Sequence, residues 1–329
     1  MCIRDSPNLT SFDRTAALQN SFYTFNSSFT GGIDVAFGYV NKDNVKDYVG
    51  AQGPGGGQVS VFNGTNLDSI VTFNPYGSAW LGGVRVAIAD FDHDGYGEII
   101  TGAMKGGGPN VAIWKLYQDG TLLNTPKLLS SFYAYSSTFT GGIDVAAGHV
   151  FGNGNEIQLI TTSGPGATEQ VKVWSFDSSF NPTLLTQFQA YASAWTGGAN
   201  VSVGNFDGVG PAEIVVGALA GGGSNVQTYA LTGTGSSISS TLQANFLAYS
   251  SGFNGGVDVA STNFTAPYIN TNSQLTYQAP AQPDQLITGA GPGGGPNAVV
   301  WDLSNPSQPT ILESFYAYNP AFTGGIHVG

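Results

Sequence analysis

"WLGGVRVAIADFDHDGYGEIITGA", residues 80–103, carries in order an aromatic anchor, a glycine pair, an alternating apolar segment, an acidic loop and a short apolar run. The alternation in "VRVAIA" (84–89) is the period-two signature of a half-buried strand. "EIITGA" (98–103) reads as a second strand on the far side of the loop. The same order recurs along the chain. Glycine pairs stand at Gly31-Gly32, Gly82-Gly83, Gly141-Gly142, Gly197-Gly198, Gly255-Gly256 and Gly324-Gly325. Successive pairs are 51, 59, 56, 58 and 69 residues apart. Two residues before each pair is Phe29, Trp80, Phe139, Trp195, Phe253 or Phe322, and a second aromatic box such as "FYAY" (132–135) lies just upstream.

Within each unit, a glycine-proline turn ("GPGGGQ" 53–58, "GPGGGPN" 291–297) follows the second strand. A third strand ends in an aromatic ("VSVF", "VAIW", "VKVW"), and a fourth carries the aromatic box. Four short antiparallel strands with two apolar faces bury neither face alone, and radial stacking of such sheets buries both. The sequence therefore predicts an all-β protein, a β-propeller of four-stranded antiparallel blades. Separate small sandwiches are the rival arrangement, and a linear solenoid suits shorter repeats. The complete units run approximately 31–81, 82–140, 141–196, 197–254 and 255–323. A partial unit follows at 324–329, and the propeller region as a whole spans 21–329. Residues 1–20 are expected to hold a non-repeat segment and a partial strand. The first six residues, "MCIRDS", resemble nothing downstream and lack the apolar stretch of a signal peptide. The abrupt ends suggest a window cut from a longer array, the alternative being two ends that meet in one closing blade.

Composition narrows the function. The 329 residues include 48 glycines, charged residues make up only 9%, and the net charge is −12. Nine Lys plus Arg disfavour a nucleic-acid partner, whose phosphates need a basic surface. No stretch is apolar for long enough to predict membrane insertion by a helix. Cys2 is the single cysteine, so no disulfide forms within the chain. "GPGGGP" lacks the Lys-Ser/Thr of a phosphate-binding loop. His93, His149 and His327 fall in different units without the spacing of zinc ligands.

The acidic loop is the sharpest chemical signal. Asp90, Asp92, Asp94, Tyr96 and Glu98 take positions 1, 3, 5, 7 and 9. Alternate oxygens on a curled loop suit a hard cation such as Ca²⁺, and Gly95 permits the bend. A solvated acidic turn and a catalytic carboxylate pair are the competing readings. An EF-hand is excluded because position 12 is Thr101 and the flanks read as strands. Asn41, Asp43 and Asp47 in the first unit, and Asn205, Asp207 and Glu213 in the fourth, form weaker candidate sites. The third unit, with His149 at position 1, keeps almost no acidic ligand. In the fifth, Asn263 and Thr265 begin the loop, Asp284 ends it, and an insertion at 266–278 bearing Tyr268 and Tyr277 intervenes.

"DFDHDGYGEIITGAMKGGGPNVAIW" resembles the FG-GAP repeats of integrin-α-type propellers, with their D-x-D/N-x-D-G-x-x-D calcium loop and following Gly-Ala turn. The likeness extends over the chain after residue 20. It implies Ca²⁺ on one face of the propeller, held by the side chains of Asp90, Asp92, Asp94 and Glu98 and by the main-chain carbonyl of Tyr96. Such propellers serve adhesion, ligand binding and occasionally catalysis.

Trp80 and Trp195 are candidates for stacking a sugar, although their recurrence also fits packing between blades. The expectation is a non-catalytic, calcium-stabilised binding or adhesion module with a protein or glycan ligand, part of an extracellular or cell-surface protein. No catalytic residue is assigned. The alternative is a propeller-fold polysaccharide lyase or glycosidase, which would need a cluster of polar residues that breaks the repeat.

Overall fold

A computed structural model of the chain describes residues 2, 3, 6–13, 15–152, 154, 156–168, 171–234, 237–262 and 283–329. Every regular element among them is a β-strand. The N-terminal stretch holds β1 (Cys2–Ile3), β2 (Asn8–Phe12) and β3 (Leu18–Tyr23). The first blade contains β4 (Ile33–Gly38), β5 (Asp47–Gln52), β6 (Val59–Phe62) and β7 (Ser69–Phe73). The second contains β8 (Val84–Ala89), β9 (Glu98–Ala103), β10 (Asn110–Gln118) and β11 (Thr121–Tyr133). The third is β12 (Ile143–Gly148), β13 (Gln158–Ser163), β14 (Val171–Phe176) and β15 (Pro182–Phe188). The fourth is β16 (Ala199–Gly204), β17 (Glu213–Ala218), β18 (Asn225–Thr234) and β19 (Ser237–Leu247). The fifth is β20 (Val257–Thr262), β21 (Gln285–Ala290), β22 (Asn297–Asp302) and β23 (Thr310–Tyr316), and β24 (Ile326–His327) follows it.

Each of the five blades is a four-stranded antiparallel meander in chain order. The innermost strands β4, β8, β12, β16, β20 and β24 contact one another in succession, and β24 contacts β4. This is the predicted β-propeller. The two end segments share one further sheet of order β24-β1-β2-β3, in which Cys2 lies opposite His327 and Ile3 opposite Ile326. The arrangement is thus the one in which the end segments meet, and the N-terminal stretch supplies three strands where one is expected from sequence. The reason is local: β1 and β2 precede the first aromatic box and the first glycine pair, so a repeat count keyed on those markers passes over them.

The meander order decides what shares a face. The loop between first and second strands, which includes residues 90–97, opens on one side. The glycine pair and the glycine-proline turn lie together on the other, where they form a latch between blades. The turn amides of Gly55, Gly106, Gly166, Gly221 and Gly293 donate to the carbonyls of Leu81, Thr140, Thr196, Asn254 and Thr323, each just before the next blade's glycine pair. The second glycine of every pair has φ between 68° and 93°, a conformation that excludes most side chains. The aromatic anchor explains the first glycine: a Cβ on Gly82 would lie 2.1 Å from the Trp80 indole, and one on Gly197 2.1 Å from Trp195.

The box tyrosines pin neighbouring blades as well. Tyr76 donates to Thr101 Oγ1 and the Asn110 carbonyl, Tyr191 to the carbonyls of Val216 and Asn225, and Tyr249 to those of Thr288 and Asn297. Apolar side chains such as Val49, Ile99, Ile160 and Ile214, all fully buried, fill the space between sheets.

Candidate functional site

The loop between β8 and β9 brings its predicted residues together. Oxygens of Asp90, Asp92 and Glu98 all lie within 4.8 Å of one another, and among the described residues this is the acidic set that converges in this way. Asp90 shapes the loop, its Oδ1 accepting from the Asp94 amide at 3.1 Å and its Oδ2 from the Gly95 amide at 2.9 Å. Gly95 supplies the turn at φ 87°. Glu98 is fully buried at the start of β9; its Oε2 accepts from the Phe91 amide at 3.0 Å, and its Oε1 accepts no hydrogen bond. Burial, with Asp92 beside it, pushes the Glu98 carboxyl up to about 8. The Tyr96 ring stacks on Tyr117 at 5.0 Å with the Lys42 ammonium over it at 4.5 Å. Position 7 therefore has only its main-chain carbonyl to offer the loop interior.

One residue in this loop's surroundings escaped sequence reasoning. Lys115, on β10, places its ammonium 2.5 Å from Asp92 Oδ2, 2.6 Å from Asp94 Oδ2 and 3.6 Å from Glu98 Oε1. Burial alone would lower its pKa, but the bonds to Asp92 and Asp94 raise it, so the amine is charged. The oxygen set fits a hard divalent cation in chemistry and convergence, and the bare Glu98 Oε1 is the atom that such an ion would satisfy. The position facing these oxygens is the one the lysine ammonium takes.

The weaker candidates hydrogen-bond within their own loops. Asp47 is fully buried, with Oδ2 accepting from the amides of Val40 and Asn41, and Oδ1 from Asn41 Nδ2 and the Gly64 amide. Burial raises its pKa against these bonds. Asn41 Oδ1 accepts from the Asp43 amide, and Asp43 Oδ2 accepts from Asn63 Nδ2 at 2.9 Å. In the fourth blade Glu213 Oε2 accepts from the Phe206 amide, Asp207 Oδ1 from the Val209 amide, and Asn205 Nδ2 donates to the Gly210 carbonyl. The third blade does the same with a carboxamide, Gln158 Oε1 accepting from the amides of Val150 and Phe151. In four loops, then, the residue opening the second strand holds the amide at loop position 2. Asp284 instead serves the neighbouring blade, its Oδ2 accepting from the Asn205 amide. Asn263, Thr265, Tyr268 and Tyr277 lie outside the described residues.

A second polar constellation lies on the propeller axis. The second residue after each glycine pair is Asp34, Arg85, Asp144, Asn200, Asp258 or His327, so strand alternation brings all six to one level of the ring. Arg85 reaches Asp34 Oδ1 at 2.8 Å, Asp144 Oδ1 at 3.5 Å and His327 Nδ1 at 3.4 Å, and His327 Nδ1 lies 3.2 Å from Asp258 Oδ2. The three aspartates also accept main-chain amides of the following sheet, from Val86, Val201 and Val328. Burial, opposed by Arg85 and reinforced by Asp34 and Asp258, pushes the Asp144 carboxyl up to about 7. The repeat alignment contains the signal for this cluster, a strand position that is polar in every copy.

Trp80 and Trp195 sit against the glycine latch. Trp80 Nε1 donates to the Gly83 carbonyl at 2.9 Å and Trp195 Nε1 to the Gly198 carbonyl at 3.3 Å. A Cβ on Gly107 or Gly222 would lie 2.7 or 2.8 Å from the respective indole. Trp80 nevertheless also lines a cleft of about 320 Å³ between the first two blades, with Tyr76, Asn110, Trp114, Ser131 and Tyr133. Tyr133 is 55% exposed.

No family model matches the chain, and no curated protein matches it. Among solved structures it is similar to a protein from Lactobacillus plantarum, with a TM-score of 0.55 at 9% identity over 95% of this chain and 81% of that one. At that identity the likeness is one of fold.

Proposed function

We propose that this chain is a non-catalytic binding or adhesion propeller of the FG-GAP kind, acting in an exported or cell-surface protein. The observation that carries the reading is the cleft beside Trp80. It combines aromatic surface from Trp80 and Tyr133 with hydrogen-bonding groups on Asn110 and Ser131, the mixture that recognises a glycan or the polar edge of a protein ligand. The polar residues that depart from the repeat, Arg85 and His327 among them, are engaged by the axial aspartates, which weighs against the lyase or glycosidase alternative.

A glycan array read with the whole chain tests this. Tyr133→Ala is expected to abolish sugar binding at unchanged melting temperature, because Tyr133 is exposed. Binding that survives Tyr133→Ala would remove the cleft from the reading. In the same proposal Asp90, Asp92, Asp94 and Glu98 hold Ca²⁺ with the Tyr96 carbonyl, tying the start of β9 to the loop. Calorimetry should register Ca²⁺ uptake that Asp92→Ala/Asp94→Ala removes, and a ligand confined to the native state raises thermal stability by mass action.

A further inference from the structure

We propose that Lys115 is a built-in cation for the second blade's acidic loop, and that a divalent metal enters this loop only by displacing it. The proposal rests on the calcium reading of the loop and adds its regulation.

Three observations support it. First, the ammonium lies on the same oxygens a metal would use, 2.5 and 2.6 Å from Asp92 and Asp94 and 3.6 Å from Glu98. An ammonium at these distances and a Ca²⁺ with oxygen ligands at about 2.3–2.6 Å do not share the space. Second, Lys115 is drawn in rather than draped over the loop: it is 9% exposed and Glu98 is fully buried. Burying a lysine charge is unfavourable unless it is paired, and its partners here are the loop carboxylates. Third, the first blade builds the same contact with a neutral donor. Phe62 pairs with Tyr48 and Trp114 with Ile99, so Asn63 and Lys115 hold the same register position, one residue on. Asn63 Nδ2 donates to Asp43 Oδ2, the loop-position-5 carboxylate, as Lys115 Nζ does to Asp94 Oδ2. A residue in or just past the third strand thus supplies an internal donor in both blades. Where the loop is most acidic, that donor carries a charge.

The consequence is competition between a tethered monovalent cation and a free divalent one. With Lys115 in place the loop's carboxylate charge is partly offset, and the loop folds without metal. A metal gains the carboxylates but must leave the lysine ammonium to find water at the blade edge. The native loop is then a weaker site than its oxygens alone would make.

The test compares the whole wild-type chain with Lys115→Met by titration calorimetry with CaCl₂ and by thermal unfolding with and without CaCl₂. Lys115→Met is expected to bind Ca²⁺ at least about tenfold more tightly, to melt lower than wild type without metal, and to regain the difference when Ca²⁺ is added. Uptake by Lys115→Met alone also supports the proposal, while removing calcium from the native protein's description. Equal affinity in both proteins overturns the proposal and leaves the calcium reading standing. Uptake by neither overturns both. A measurement on the wild type alone guards against a variant that fails to fold: amine acetylation at Lys115, followed by mass spectrometry, should rise several-fold on adding Ca²⁺ as the side chain is expelled. Uptake of Ca²⁺ without any rise in labelling would overturn the displacement.

Discussion

Replacing Arg85 by methionine should destabilise the propeller in a pH-dependent way. The guanidinium lies between Asp34 and Asp144, its side chain 12% exposed and theirs 10% and 14%, so all three charges are largely withdrawn from water. Removing one partner of such a buried set costs about 3–5 kcal/mol, because the remaining charges stay buried without compensation. Unfolding entropy of about 2.1 cal/mol/K per residue gives roughly 0.7 kcal/mol/K for 329 residues, so the loss corresponds to about 4–7 °C in melting temperature.

The pH dependence has a definite sign. The Asp144 carboxyl stands at about 7 in the folded chain, above its unfolded value of about 3.9. Folding therefore takes up a proton in this interval. The group's contribution to stability is fully present below the unfolded value and is lost as pH rises through 7. Without Arg85 the carboxyl moves higher still, so protonation relieves the variant more than the wild type. Thermal unfolding followed by circular dichroism should show the full deficit at pH 8 and about half of it or less at pH 5.5. Adding Asp144→Asn to the variant should recover part of the loss at pH 8. A melting temperature within about 1 °C of wild type at pH 8, or the same deficit at both pH values, would refute the view that Arg85 neutralises the axis.

Two further substitutions probe the latch and the loops. Gly83→Ala meets φ 93°, Met104 Sδ at 2.6 Å and the Gly53 carbonyl carbon at 2.9 Å. It should lower the urea midpoint by the equivalent of about 2 kcal/mol or more. Gly77→Ala, at φ 83° with open space around it, should lose only the backbone part, about 1 kcal/mol; equal losses would show that the close approach to Met104 is unimportant. Asp47→Ala strips the acceptor from the amides of Val40, Asn41 and Gly64 and should cost about 3 kcal/mol or more in chemical unfolding. A loss that depends on added Ca²⁺ would instead make Asp47 a metal ligand.

What could be read from the chain alone follows from where each signal sits. The blades were legible because the aromatic-Gly-Gly marker is local: Trp80 needs the missing Cβ of Gly82, two residues away, and Gly83 needs its own φ. The acidic loop was legible for the same reason, since nine consecutive residues hold all five predicted ligands. The closing sheet was legible only as an alternative, because β24 and β1 come from opposite ends of the sequence and share no marker. The axis cluster stood halfway: its position is fixed by the repeat, but Arg85 meets Asp34 and Asp144 only once three separate blades converge. Lys115 was hidden most completely. It lies 21 residues from Asp94 in the chain, inside an apolar strand, where it reads as an ordinary charged residue on an exposed edge. Only the register of β9 with β10 turns it toward the carboxylates. A motif therefore states which groups a loop can offer to a cation, whereas the strand packed beside it decides which cation is already there.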